Sequence, residues 1–199
     1  MASFPARLYV LLASDTSLAV VLRRGPSKSV AAYSWHRGRD EFTLGQWMRG
    51  RVYERRSDLS PDGKHLIYFA MNGRWNSETS GAWTAISRAP YLKAVALFTK
   101  GDCWHGGGLW TGDTSYWLND GYGHVVLRDS TAVRRDKEHR PAEYFGGECE
   151  GVYFLRLQRD GWRLVEHSRV SESHGKTVFE KPCAHGWTLE PVMNLKLVF

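Results

Sequence analysis

The chain is poor in cysteine, in helical periodicity and in catalytic signatures. Only three cysteines occur in 199 residues, Cys103, Cys149 and Cys183, and they lie far apart. An odd count leaves at least one thiol unpaired and excludes a dense disulfide framework, which points to a reducing compartment. No run of about 20 apolar residues exists, so no membrane-spanning helix is expected. The apolar run 8–12 is too short for a secretory leader, and Asp15 interrupts it before the next run, 18–22. A cytoplasmic location is the expectation. No window longer than ten residues carries a clean helical period, and the helix-compatible stretch 131–143 is mostly charged and reads as loop. There is no Gly-x-Ser-x-Gly elbow and no His-Glu-x-x-His, and the glycines 106–108 fit no phosphate loop, since no Gly-Lys-Ser/Thr follows them. The commonest hydrolase, metalloprotease and nucleotide-binding patterns are therefore missing.

What is present is strand-like. Short runs rich in Val, Ile, Tyr, Phe and Trp are bounded by Gly, Pro, Asp and Ser. The spacing predicts strands over 7–12, 18–23, 30–35, 65–70, 83–87, 94–98, 115–118, 124–127, 152–157, 162–167, 177–180 and 194–199. Several runs are continuous rather than alternating, which predicts strands covered on both faces. Polar turns centred on Asp15, Asp62, Asp113 and Asp160 return at separations of 47, 51 and 47 residues. Such a period marks stacked supersecondary units. Two turns predict hairpins: Pro61-Asp62-Gly63, and Asp160-Gly161 between 152–157 and 162–167.

The stretch Leu59-Ser60-Pro61-Asp62-Gly63-Lys64-His65-Leu66-Ile67-Tyr68-Phe69-Ala70 resembles the repeat hairpin of TolB-type, WD40-like β-propellers. The resemblance covers residues 59–70, and the other three turns keep the aspartate but not the Ser-Pro. It implies a small propeller of about four repeats, each blade shielding its neighbour, and a binding platform rather than a chemistry. The expected fold is a single all-β domain over 1–199, with residues 128–151 as an insertion or long loop. A β-sandwich or irregular barrel is the alternative.

Three groups of residues are site candidates. Residues 35–56 interleave Trp35 and Trp47 with Arg37, Arg39, Arg49, Arg51, Arg55 and Arg56, types that hold phosphates and stack on bases. Residues 1–60 carry ten Lys/Arg against five acids, most of the net charge of +6. Cys103-Trp104-His105 and Cys183-Ala184-His185 would each project from one strand face, and two facing pairs would suit tetrahedral zinc. Otherwise no cofactor is expected. Gly106-Gly107-Gly108 reads as close backbone packing, and Asp113, Asp120 and Asp129 near His124 as turn formers rather than general bases.

The composition therefore points to a non-enzymatic module that binds a protein partner as a subunit of a larger complex. Trp, Tyr and Arg, abundant here, carry most binding energy at such surfaces. The alternatives are a nucleic-acid-binding accessory subunit using 35–56, and a metal-dependent or other hydrolase.

Overall fold

The computed structural model describes residues 6–25, 28–146, 149–167, 177–182 and 188–189. The chain divides into two compact units, Met1–Tyr153 and Phe154–Phe199. In the first, β1 (Arg7–Leu12), β2 (Leu18–Arg24), β3 (Ser29–His36) and β4 (Glu41–Arg49) form an antiparallel meander, the N-terminal sheet. A second meander, the central sheet, contains β5 (Arg51–Leu59), β6 (His65–Met71), β7 (Ala82–Arg88) and β8 (Ala94–Thr99). After β9 (Gly108–Trp110) and β10 (Ser115–Leu118), β11 (Val125–Arg128) joins the edge of β8, and β12 (Arg134–Arg135) completes a third sheet with β9 and β10. The all-β expectation holds. None of these sheets closes on itself, so the described residues form no barrel.

Side-chain alternation explains how the sheets pack. On β6, Leu66, Tyr68 and Ala70 face one way and join Leu11, Val20, Leu22, Val30 and Ala32 of the N-terminal sheet in one core. Ile67 faces the other way and, with Ile86 and Phe98, meets Trp110, Tyr116 and Leu118 of the third sheet in a second core. The central sheet is thus covered on both faces. Each fully buried aliphatic or Phe side chain contributes about 1.5–3 kcal/mol.

Three of the four aspartate turns occupy equivalent places. Asp15, Asp62 and Asp113 join the first and second strands of the N-terminal, central and third sheets. Adjacent turns also touch, because the Asp15 N–H donates to the Pro61 carbonyl at 3.1 Å. The Asp62 turn is locked from within: Ser60 Oγ donates to Asp62 Oδ1 at 2.6 Å, and that oxygen also accepts the Lys64 N–H.

The fourth turn corrects a sequence expectation. Residues 152–157 are not a strand but part of α1 (Cys149–Arg159). Glu150 in its first turn and Arg156 and Arg159 in its last complement the helix dipole. Gly161, at φ 86°, follows as a left-handed cap. The Trp162 N–H bonds to the Leu157 carbonyl and the Gly161 N–H to that of Gln158, a Schellman closure. Asp-Gly offers positive φ to a hairpin and to a helix end alike, and periodicity over six residues did not separate them.

In the second unit, β13 (Arg163–His167), β14 (Thr177–Pro182) and β15 (Thr188–Leu189) form a small antiparallel sheet. Phe154 packs on Phe179 at 5.2 Å and on His167 at 5.9 Å between ring centroids. The expected strand 194–199 lies outside the described residues.

Candidate functional site

The N-terminal sheet buries one face in the first core and leaves the β1 and β4 side chains of the other, the bare face, exposed. The strand registers build three cross-strand rows on the bare face: Leu8–Arg23–Ala31–Trp47, Val10–Val21–Tyr33–Leu44 and Leu12–Ala19–Trp35–Phe42. Eleven of the twelve side chains are apolar or aromatic. Leu8, Val10, Leu12, Phe42, Leu44 and Trp47 are between 42% and 66% exposed. Monomeric proteins seldom leave contiguous apolar patches of this kind open without a use for them.

The aromatic part of the face is pre-organised. Trp35 stacks on Phe42 at 5.4 Å with planes 7° apart, and its Nε1 donates to Asp40 Oδ1. The Arg23 guanidinium lies over the Trp47 ring at 5.7 Å and donates to the Gly25 carbonyl at 2.6 Å. Held in this way, these rings lose little conformational freedom on contact with a partner.

Charge is segregated along the strands. Arg7, Arg23, Arg24, Lys28 and Arg49 gather at one end, and Arg7 stands directly opposite Arg24 in the ladder. Like charges in that position repel. Among the described residues only Arg24 finds a carboxylate, Glu54 at 3.5 Å. The acids of residues 6–49 are Asp15 and Asp40 in the turns and Glu41 at the start of β4, all at the opposite end. There the basic side chains are engaged: Arg37 donates to the Ala13 and Thr16 carbonyls, and Arg39 pairs with Glu41 at 2.6 Å.

Residues 35–56 therefore do not form one patch. They run through β4 and β5, which belong to different sheets. Trp35, Trp47 and Arg49 lie on the bare face or its basic end, and Arg51 stacks on Tyr53 at 4.3 Å. Arg55 pairs with Glu150 and covers Tyr153. Arg56 is buried, donating to the Cys103 and His105 carbonyls at 2.7 and 2.5 Å. It pins the 101–107 loop and is not presented to solvent.

Cys103 and His105 lie in that loop rather than on a strand. Cys103 is exposed and His105, at φ 57°, is buried, so they do not share a face as expected. Cys183 and His185 lie outside the described residues. Among the described residues, no group of three or more His, Cys, Asp or Glu side chains is placed to hold a metal. The triple glycine does serve close packing, since a Cβ on Gly107 would strike the Arg56 carbonyl and one on Gly106 the Phe69 ring.

Of the three aspartates near His124, Asp120 is the one bonded to it. Asp120 Oδ1 lies 3.0 Å from His124 Nδ1, and His124 Nε2 lies 3.0 Å from Thr84 Oγ1. The ionised Asp120 carboxylate can only accept, which puts the imidazole proton on Nδ1 and leaves Nε2 to accept the Thr84 hydroxyl proton, while Thr84 Oγ1 accepts the Gly107 N–H. Burial pushes His124 below the usual imidazole range despite Asp120. Burial alone would raise the Asp120 carboxyl, but hydrogen bonds from His124 and Arg135 outweigh it and hold Asp120 low. The order Asp–His–Thr is that of an activated nucleophile. Thr84 is fully buried, however, so no substrate carbonyl reaches its oxygen. The set works as a polar tie between β7 and the loops at 107 and 120–124.

The sequence reading found Trp35 and Trp47 but passed over Leu8, Val10, Leu12, Val21, Tyr33, Phe42 and Leu44. Leu8, Val10, Leu12 and Val21 sit in the unbroken apolar runs 8–12 and 18–22, which require two covers. Comparison with protein-family models, curated proteins and solved structures finds no match.

Proposed function

We propose that the chain is a non-enzymatic protein-interaction module and that its docking surface is the bare face of the N-terminal sheet. The observation that carries this reading is the set of exposed apolar side chains that β1 and β4 contribute to the three rows, Leu8, Val10, Leu12, Phe42, Leu44 and Trp47. A four-stranded patch three rows deep has a flat footprint on the order of 400 Å². Covering it contributes on the order of 10 kcal/mol before the costs of association. The equivalent aspartate turns and successive meanders support a propeller-like origin, in which each sheet is built to be covered on both sides.

Affinity capture from the native source, after nuclease treatment, tests the docking reading. A protein held by wild type and by Val126→Lys, whose site lies on β11 away from the face, should be lost with Val10→Lys. Equal retention by all three overturns it. A second reading, nucleic-acid binding, is supported by the five cations at one end of the sheet. Its mark would be affinity that falls steeply with salt, as phosphate contacts release counterions.

A further inference from the structure

We propose that residues 120–124 are an acid-released lid over Lys100, with His124 as its latch. The lid runs from Asn119 to β11. Asn119 is buried, and the 106–107 backbone fixes it: the Gly106 N–H donates to its carbonyl at 2.9 Å, and its own N–H donates to the Gly107 carbonyl at 3.0 Å. At the other end Val125 is paired with Thr99. Between these anchors, among the described residues, the Gly121, Tyr122 and Gly123 N–H groups make no backbone hydrogen bond. Side chains hold the stretch in place, and such segments open at lower free energy than the strands around them.

A buried cation lies beneath. The Lys100 side chain is 0% exposed and pairs with Asp102 at 2.8 Å. Its Nζ lies 4.0 Å from the centre of the Tyr122 ring, which is the outer cover. A Cβ on Gly123 would come within 3.1 Å of the same ammonium, and one on Gly121 would strike the His105 ring. Lifting 121–123 therefore gives Lys100 and His105 to water.

The proton inventory makes His124 the latch. With the imidazole neutral, each donor meets an acceptor. The Gly107 N–H donates to Thr84 Oγ1 at 2.9 Å, and the Thr84 hydroxyl donates to His124 Nε2 at 3.0 Å. His124 Nδ1–H donates to Asp120 Oδ1 at 3.0 Å, and Arg135 donates to Asp120 Oδ2 at 2.9 Å. A second proton turns Nε2 into a donor. The acceptor it faces is Thr84 Oγ1, whose own proton is then left unpaired in a fully buried position. Lys100 at the end of β8 and Arg135 on β12 repel an imidazolium, while Asp120 is already shared with Arg135 and Asp102 is turned to Lys100. Opening hands Nε2–H and the Thr84 proton to water.

The direction of the response follows. In the open lid His124 titrates at its ordinary value of 6.5, whereas in the closed lid burial, aided by Lys100 and Arg135 and opposed by Asp120, holds it lower. Above pH 6.5 neither state takes the proton and the lid stays shut. Below that value the open state takes up a proton that the closed state refuses. Opening then grows about tenfold per pH unit until the lower value is reached. Thr84 shares its β7 face with Ile86, away from the N-terminal sheet, so the lid and the docking reading stand or fall separately.

The test is competitive acetylation of the full chain from about pH 8 to about pH 5, read by mass spectrometry. The initial rate at Lys100 is divided by that at Lys64 in the same sample. Lys64 is 73% exposed, so the ratio cancels the effect of pH on the reagent. The ratio should be flat above pH 6.5 and rise about tenfold for each pH unit below it. A ratio that stays flat overturns the acid release. Loss of circular dichroism in step with the rise also overturns it, because the whole chain is then unfolding. His124→Gln should make the ratio independent of pH, and a rise that persists in that variant overturns the latch. Tyr122→Ala removes the ring over the ammonium and should raise Lys100 labelling about tenfold at the neutral end of the range. Unchanged labelling in that variant overturns the lid.

Discussion

The N-terminal and central sheets are both four-strand meanders, and both carry apolar side chains on two faces, yet only one is covered twice. In the central sheet, Leu66, Tyr68 and Ala70 face one core while Ile67 and Ile86 face another. In the N-terminal sheet, Leu11, Val20 and Leu22 are buried while Leu8, Val10 and Leu12 on the opposite face stand open. An apolar face is a demand for cover, and among the described residues that demand is met three times and left once.

The largest effects should separate the sheets by stability. Ile67→Ala or Ile86→Ala removes a fully buried side chain from the second core and should cost about 2–5 kcal/mol in chemical denaturation. Leu8→Ala or Leu44→Ala on the bare face should change monomer stability by less than about 0.5 kcal/mol. A comparable loss from both sheets would mean that the bare face is covered within the monomer.

Next in size is Gly107→Ala. The residue sits at φ 74°, and an added Cβ would strike the Arg56 carbonyl. The expected cost is about 2 kcal/mol or more, read as a lower melting temperature, with the outer rows of the N-terminal sheet unaffected.

A pH titration probes the far side of the central sheet. The folded state holds His124 below its unfolded value of 6.5, so it binds fewer protons than the unfolded chain there. The His124 contribution is complete above pH 6.5 and is lost as pH falls through the depressed folded value. His124→Gln should flatten this acid-side slope in denaturant midpoints. An unchanged slope would show that the Thr84–His124–Asp120 tie does not hold the imidazole neutral.

The smallest effect belongs to the rim. Arg39 and Glu41 are each 61% exposed, so Glu41→Gln should shift stability by less than about 1 kcal/mol, and less again in high salt. A larger change would mean that the acidic end of the sheet is more sheltered than its exposure indicates.

Legibility followed local signal strength. Strands with β-branched and aromatic runs, such as β1, β6 and β10, were readable within a residue or so. β4 and β5 were not, because Glu41–Arg49 and Arg51–Leu59 are half polar. Their arginines suggested one basic patch, whereas the strands fall in separate sheets. Helix α1 was hidden by a six-residue run with five apolar side chains and an Asp-Gly pair that suit two structures. Cys103 and His105 differ on another ground: they follow a loop rather than a pleat, so spacing by two did not put them on one face.

By itself the sequence determined the all-β character, the repeated aspartate turns and the presence of apolar side chains on both sides of the first two strands. These depend on neighbours along the chain, through alternation and turn chemistry. Which arginines were buried, which carboxylate met His124 and which apolar face went uncovered were decided only by tertiary structure. Those outcomes depend on which sheets come to lie against one another, and local periodicity carries no information about the partner across a core.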